Sequence, residues 1–285
     1  MIQDIAPHHL DNVFRPGVGI QADSPLLCFS GNQVLLRETE VGLLPPLSGE
    51  FSSLPSHRFL FFLDGNPWFG VPEDLTQLPE GTSFFSLQAL RMDSRMHRET
   101  YFGIYTALQL TRWYQQNRYC GSCASPTEPG ERERSLVCPR CGRVIYPHIQ
   151  PAVIVGVIHG DELLITKYAG RPNAMPALVA GFTEIGETLE ETVAREVMEE
   201  TGLQVCNIRY YKSQPWGIAD DLLMGFYCDV SGSTAIRLDQ QELKEAVWVK
   251  REDITGQGKD YSLTHEMMMT FRDGLEPPGK ENVHV

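Results

Sequence analysis

The stretch Gly181 to Leu203, GFTEIGETLEETVAREVMEETGL, decides how this chain is read. From Glu187 to Thr201 it contains neither glycine nor proline, and Gly202 stands where helices commonly end on a left-handed residue. A helix over 187–201 is therefore expected. At about 100° per residue, Glu196, Glu199 and Glu200 fall within an arc of about 100°. Val193, Ala194, Val197, Met198 and Thr201 occupy the opposite side and are expected to pack into a core. Carboxylates gathered so closely raise one another's pKa and destabilise the helix, so the arrangement makes sense where divalent cations neutralise it. Hard oxygen ligands suit Mg(II) or Mn(II), which keep waters and bind substrate phosphates. The Glu-Glu pair alone would read as a solvated acidic helix face.

Outward from this helix, the sequence after Gln150, PAVIVGVIHGDELLITKY, reads as two strands joined by a Gly-Asp turn. Leu222 to Val230 and Glu245 to Lys250 are further strand candidates, with a last helix near Thr264 to Arg272 and a frayed tail over EPPGKENVHV. Towards the N-terminus, short apolar runs such as Arg58 to Asp64 and Ser83 to Leu87 alternate with Pro45, Pro46, Gly65, Pro67 and Gly81, a β-rich pattern. Tyr101, Ile104, Tyr105 and Leu108 then have the spacing of an amphipathic helix running to about Gln116. The division expected is a β-rich domain over 1–115, a cysteine-bearing segment over 116–149, a third domain over 150–275 and a tail over 276–285. The chain is α+β, without internal repeats.

Cys120 and Cys123, separated by fourteen intervening residues from Cys138 and Cys141, form two C-x-x-C knuckles. Zn(II) takes four thiolates in a tetrahedron with Zn–S near ~2.3 Å, and two knuckles supply that geometry. All four ligands being cysteine leaves no open position, so the metal expected here is structural, one zinc per chain. Arg132, Arg134, Arg140 and Arg143 in this segment read as a solvated charged loop or as a nucleic-acid contact. Cys28, Cys206 and Cys228 are scattered, and seven cysteines without a secretory pattern point away from a disulfide framework.

A net charge of -13 argues against a long duplex DNA footprint, because such binding scales with the phosphates neutralised by Lys and Arg. A polyanionic substrate must then be met locally. No run approaches the ~18 apolar residues of a membrane span, and the opening residues lack a signal-peptide pattern, so a soluble, cytoplasmic protein is expected.

The residues Gly181, Glu187, Arg195, Glu196, Val197, Glu199, Glu200, Gly202 and Leu203 fit the signature of the Nudix hydrolases without a mismatch, and the chain resembles that family. The resemblance implies an α/β/α sandwich around a mixed sheet, and attack of a metal-activated water on a pyrophosphate phosphorus. It implies metal-ligand roles for Glu196 and Glu200, a ligand or base role for Glu199, and a metal-binding carbonyl at Ala180. Arg195 would pair with Glu187 and orient the helix. Glu242 matches a further metal-ligand glutamate; it reads otherwise as a surface residue.

The order of an N-terminal domain, a four-cysteine zinc ribbon, the Nudix signature and SQPW at Ser213 to Trp216 is similar to the NADH pyrophosphatase subfamily over roughly residues 85–260. That similarity implies hydrolysis of NADH or NAD to nicotinamide mononucleotide and AMP, in some members removal of NAD caps from RNA, and a homodimer. Tyr146 and Phe182 match positions that stack a base, or else are core aromatics. Ala246 falls at a backbone contact, and Arg91 matches a substrate-binding arginine or is a surface residue. The subfamily's SQPWPFP-x-S is replaced here by SQPWGIADD, so Gln214, Pro215 and Trp216 keep the substrate rim while Gly217, Ile218, Ala219, Asp220 and Asp221 change it. Gly217 is expected to loosen the turn. Preference among NADH, NAD, ADP-ribose and other nucleoside diphosphate derivatives is thereby left open, as is a zinc-ribbon RNA binder that retains the fold as a sensor.

Overall fold

The computed structural model describes residues 1–72, 75, 77–170, 175–257 and 261–279. The chain divides into two compact units: Ile2–His148 together with Gly217–Asp220, and Met1 with Ile149–Trp216 and Asp221–Val285.

In the first unit, the apolar runs separated by turn residues become β1 (Leu10–Asp11), β2 (Leu26–Ser30), β3 (Gln33–Thr39), β4 (Gly42–Leu44), β5 (Arg58–Leu63), β6 (Asn66–Val71) and β7 (Thr82–Ser86). They form one sheet in the order β1-β5-β6-β2-β3-β4, with β7 pairing to β3. A one-turn helix α1 (Leu87–Leu90) leads to α2 (Arg98–Gln116), which starts earlier than the apolar spacing suggested. Tyr101, Ile104, Tyr105 and Leu108 are all buried, as that spacing requires. The ribbon adds β8 (Glu128–Pro129), β9 (Leu136–Val137) and β10 (Val144–Ile145). Arg134 departs from a solvated loop: its guanidinium donates to the carbonyls of Leu60 and Asn12 and lies 5.6 Å from the Phe14 ring.

The second unit is built on β11 (Gln150–His159), β12 (Glu162–Tyr168), β13 (Val179–Phe182), helix α3 (Leu189–Thr201), β14 (Gln204–Trp216), β15 (Asp221–Ser231), β16 (Leu243–Lys250) and α4 (Leu263–Arg272). Strand order is β14-β15-β11-β12-β16, with β13 on β11; β11 and β15 run parallel and the other pairs antiparallel, so the sheet is mixed. Alternation along β11 sends Val153, Val155 and Val157 to one face, against Val193 and Val197 of α3. Ile154 and Ile158 go to the other, against Leu263, Met267 and Phe271 of α4. Helices on both faces make this an α/β/α sandwich, as the resemblance implies. Between Ile154 and Ile158, Gly156 leaves room for Tyr227, because a Cβ there would sit 2.6 Å from the ring. The Tyr227 hydroxyl donates to the Met267 carbonyl at 2.7 Å and so ties the sheet to α4.

The end of the chain is less frayed than its composition suggests. Glu276 accepts from Arg251 at 2.7 Å, and the Pro277 carbonyl accepts from Arg209 at 2.6 Å. The rest of the expected tail, 280–285, lies outside the described residues. No helix among the described residues is long and apolar enough to cross a membrane.

Candidate active site

Helix α3 is fixed at both ends by its own sequence. Thr188 caps the N-terminus by accepting from the Glu191 amide at 3.2 Å, and the Glu191 carboxylate in turn accepts from the Thr188 amide at 2.8 Å, a reciprocal capping box. The helix thus starts at Leu189 and not at Glu187, which stays free for another role. At the far end Gly202 takes φ 69°, the left-handed stop that its position implies.

The buried stripe of α3 differs from the expected one. Val193, Val197 and Thr201 are buried, but Ala194 and Met198 are exposed, while Thr192, Glu196 and Glu200 are buried with the valines. The carboxylates Glu196 and Glu200 therefore lie inside the packed face, beside the core, and not across the helix from it. Glu199 sits at the edge of the stripe with its side chain 58% exposed.

Glu196 is accommodated by a notch in β13. A Cβ at Gly181 would collide with the Glu196 carboxylate, so only glycine lets that group rest against the strand. Arg195 then distributes its guanidinium over the neighbourhood. It donates to Glu187 at 2.6 and 2.9 Å, to Glu196 at 2.7 Å, to Glu199 at 3.0 Å and to the Phe182 carbonyl at 2.9 Å. Glu187 also accepts from Thr192 and from the Glu184 amide, and with Arg195 as the leading cause its carboxyl is held down at about 2.

Glu200 has the opposite environment. It is 1% exposed, and neither carboxylate oxygen has a hydrogen-bond partner among the described residues. Burial, then the charges of Glu196 and Glu242, push its carboxyl up to about 8; the Ala180 amide opposes this only weakly and is not in bonding geometry. Glu196 is raised as well, again chiefly by burial, with Arg195 opposing. Asp239 adds to the negative field at Glu200, and its amide donates to the Glu200 carbonyl at 3.0 Å. Sequence reading passed over Asp239; its place just upstream of Glu242 in RLDQQEL is the signal that was available.

A cation-sized charge deficit is thus built into this site, and its donors are all hard oxygens. Buried carboxylates without partners cost several kcal/mol unless neutralised, so the residue set fits a divalent metal. The side-chain oxygens are not yet gathered as tightly as the ribbon thiols. Among the described residues, the quartet Cys120, Cys123, Cys138 and Cys141 is the one group whose ligand atoms all lie within 4.8 Å of one another. There Sγ of Cys120 is 3.6 Å from that of Cys141, and Sγ of Cys123 is 3.4 Å from that of Cys138. The Ser122 amide, directed at Cys120, leads the causes that lower that thiol to about 6, which favours the metal-binding thiolate. The quartet is a structural zinc site.

The remaining expected residues divide by what their side chains touch. Phe182 is 49% exposed and Tyr146 53% exposed, so neither is a core aromatic. The Tyr146 hydroxyl donates to Glu133 at 2.7 Å. Ala246 pairs with Thr166 in the β12–β16 ladder and packs partly on the core, and Ala180 pairs with Ile154. Glu242 is exposed, and its carbonyl accepts from the Ala169 amide at 2.8 Å. Arg91 is half-buried at the end of α1.

Gln214, expected at the substrate rim, is placed inside the frame of the fold. It is fully buried, its amide nitrogen donating to the Tyr261 carbonyl at 2.8 Å and its oxygen accepting from the Leu263 amide at 2.7 Å, so it anchors the start of α4. Gly217 does not loosen the turn. A Cβ there would lie 2.5 Å from the Tyr105 carbonyl oxygen, so glycine serves a close approach to α2. Asp220, at φ 59°, is engaged by Arg112 of α2 at 3.0 Å through both oxygens, and is not free to face a ligand. Asp221 is buried in β15 opposite Trp216. Pro215, Ile218 and Ala219 are exposed and Trp216 half-buried.

A family model described as the NUDIX domain matches residues 148–271, and one described as the NADH pyrophosphatase zinc ribbon domain matches residues 115–146. The chain is 36% identical over 188 residues to the NAD-capped RNA hydrolase NudC of Escherichia coli O1:K1 / APEC, covering 66% of this chain and 71% of that protein. It is 39% identical over 147 residues to the protein of the same description from Salmonella heidelberg (strain SL476), covering 52% and 57% respectively. Among solved structures, a NUDIX hydrolase from Nitrosomonas europaea is similar with a TM-score of 0.48 and 21% identity, over 55% of this chain and 90% of that one.

Proposed function

We propose that this chain, which belongs to the Nudix hydrolase family, hydrolyses the pyrophosphate bond of NAD or NADH to nicotinamide mononucleotide and AMP, and removes NAD caps from RNA. The observation that carries the reading is Glu200, buried with both oxygens unpartnered beside Glu196 and Glu242. Similarity to relatives described as NAD-capped RNA hydrolases supports the choice of substrate.

Glu196 and Glu200, with Glu242 and the Ala180 carbonyl, would hold Mg(II) or Mn(II). Such an ion, when bound, lowers the pKa of water and offsets charge on the phosphoryl oxygens. The chain's own part is positional. Gly181 keeps the Glu196 carboxylate against the strand, and Arg195 locks Glu187, Glu196 and the Phe182 carbonyl into one rigid frame. Glu199, half-exposed and held by Arg195, serves as a further ligand or as the base that takes the proton of the attacking water. The oxygen of that water forms the new bond to phosphorus while the bond to the bridging oxygen breaks, leaving two monophosphates. Phe182 is exposed in one unit and Tyr146 in the other, and each ring by itself is a flat apolar face of the kind on which a base stacks.

A second reading keeps this chemistry and changes the substrate to ADP-ribose or another nucleoside diphosphate derivative. It is favoured by the Gly217–Asp220 turn, whose aspartate is committed to Arg112 in place of a substrate contact. We read the protein further as a cytoplasmic homodimer, by its similarity to the subfamily. Incubation of purified protein with NADH, NAD, ADP-ribose and NAD-capped RNA in Mg(II) or Mn(II), with products identified by mass, tests the proposal. Release of nicotinamide mononucleotide with AMP, or with 5′-monophosphate RNA, is expected. Absence of turnover on every pyrophosphate would overturn it.

A further inference from the structure

A polar cavity lies in the first unit, and none of the residues placed in the candidate active site lines it. Its volume is about 160 Å³, and it is lined by Ser56, Arg58, Tyr114, Arg118, Thr127 and apolar neighbours such as Leu136. In a chain with 37 acidic and 24 basic residues, the described residues of this lining include two arginines and no carboxylate. Three elements bring them together: Arg58 opens β5, Arg118 follows the end of α2, and Thr127 and Leu136 belong to the ribbon.

Among the described residues these cations have no counter-charge. Neither Arg58 nor Arg118 forms an ion pair among the described residues, and the one bond recorded for the Arg58 guanidinium is a 3.4 Å contact to its neighbour's carbonyl. Beside the cavity, Arg134 acts with Arg58 on the Tyr114 hydroxyl. Arg134 is partly buried, is bonded only to neutral groups, and has one terminal nitrogen buried without a partner among the described residues. A guanidinium withdrawn from water without an anion, as that of Arg134 is in part, is costly, and the positive charge of Arg58 close by adds to the cost. An anion in the cavity offsets it. Guanidinium donors with a hydroxyl alongside are the usual recognition set for phosphate oxygens. The volume lies below the ~300 Å³ at which pockets begin to take drug-sized ligands, so it suits a single phosphate group and not a whole nucleotide.

We propose that the cavity between Arg58, Tyr114 and Arg118 is a phosphate-binding site, which takes either free phosphate or one backbone phosphate of a single-stranded RNA. The RNA source rests on the reading of capped RNA as a substrate; the site itself does not.

The test uses the full zinc-loaded chain and the double variant Arg58→Gln, Arg118→Gln, whose two side chains are exposed and whose melting in chloride should match the wild type. Melting is followed while inorganic phosphate replaces chloride at constant ionic strength, and binding of a single-stranded RNA oligonucleotide is titrated against salt. Wild type should be stabilised by phosphate and the variant not. If RNA is the source, the variant binds RNA several-fold more weakly whatever its sequence, and the slope of log K against log salt falls by about 0.7. A lost phosphate response with unchanged RNA binding assigns the site to free phosphate. Equal responses of the two proteins in both assays would overturn the proposal. Turnover of NAD should be the same in both proteins, so a failure of the proposed activity would be seen separately, as no turnover in either.

Discussion

Replacing Glu200 by glutamine should make the metal-free protein more stable while abolishing turnover. The Glu200 carboxyl lies at about 8 in the folded chain, against 4.5 for the ordinary side chain, with burial as the leading cause. A group raised on folding contributes its full stability only below the unfolded value, and loses it as pH climbs through the folded one. Between 4.5 and 7 that loss, at about 1.36 kcal/mol per pH unit, comes to roughly 3 kcal/mol. Glutamine keeps the shape of the neutral acid and does not titrate. At pH 7 without divalent metal the variant should therefore gain up to about 3 kcal/mol, or roughly 5–10 °C in melting temperature for a chain of this size. The gain should shrink towards pH 5, where the wild-type acid is protonated.

The assay is thermal melting in magnesium-free buffer, without a strong chelator so that the ribbon keeps its zinc. Adding Mg(II) or Mn(II) should then raise the wild type more than the variant, because binding to the folded state alone stabilises it. Glu199→Gln is the control: its side chain is 58% exposed, so metal-free melting should barely change. A Glu200→Gln protein that melts at or below the wild-type temperature at pH 8 would refute the reasoning.

Gly181→Ala should lower turnover by about 100-fold or more, since the added Cβ displaces the Glu196 carboxylate and displacement on the order of 1 Å is that costly; steady-state rates with saturating metal check it. Cys138→Ser should release zinc and cost on the order of several kcal/mol, because a structural metal contributes folding energy, as seen by metal content and melting. Gln214→Leu should cost roughly 2–4 kcal/mol by stranding the Tyr261 carbonyl and the Leu263 amide, with KM unchanged. A raised KM at unchanged stability would return Gln214 to the substrate rim.

What was legible in the sequence was local. The 150–168 hairpin, the capped helix and the paired knuckles each depend on neighbours a few residues apart, so periodicity and spacing announce them. The roles that changed depend on distant partners. Gln214 looked like part of a substrate motif because its partners, Tyr261 and Leu263, lie in another element. Gly217 looked like a loosened turn and Asp220 like a changed position of the substrate rim, because Tyr105 and Arg112, which engage them, lie far upstream on α2. The exposure of Ala194 and Met198 has a similar origin. A helical wheel gives the arc of the carboxylates, but only contact with β11 and β13 shows that the buried stripe passes through Glu196 and Glu200.

Arg195 explains how such a site survives folding without its metal, and it supplies the last test. Glu187, Glu196 and Glu199 all bond to this one guanidinium, whereas Glu200 has no bond to it and faces the charges of Glu196, Glu242 and Asp239. The cation therefore satisfies one side of the cluster and leaves the other for an incoming metal. Lysine keeps the charge but is a point donor that cannot span three carboxylates and the Phe182 carbonyl together. Arg195→Lys should lower turnover and raise the metal concentration needed for half-maximal rate, because Glu196 loses its fixed position. Acid stability should respond too. Glu187, held at about 2, contributes stability that is complete above 4.5 and lost as pH falls towards 2, so in the variant that loss should begin at a higher pH. Identical rates, metal dependence and acid melting in the two proteins would show that Arg195 supplies charge alone, and that the frame around Glu196 has another cause.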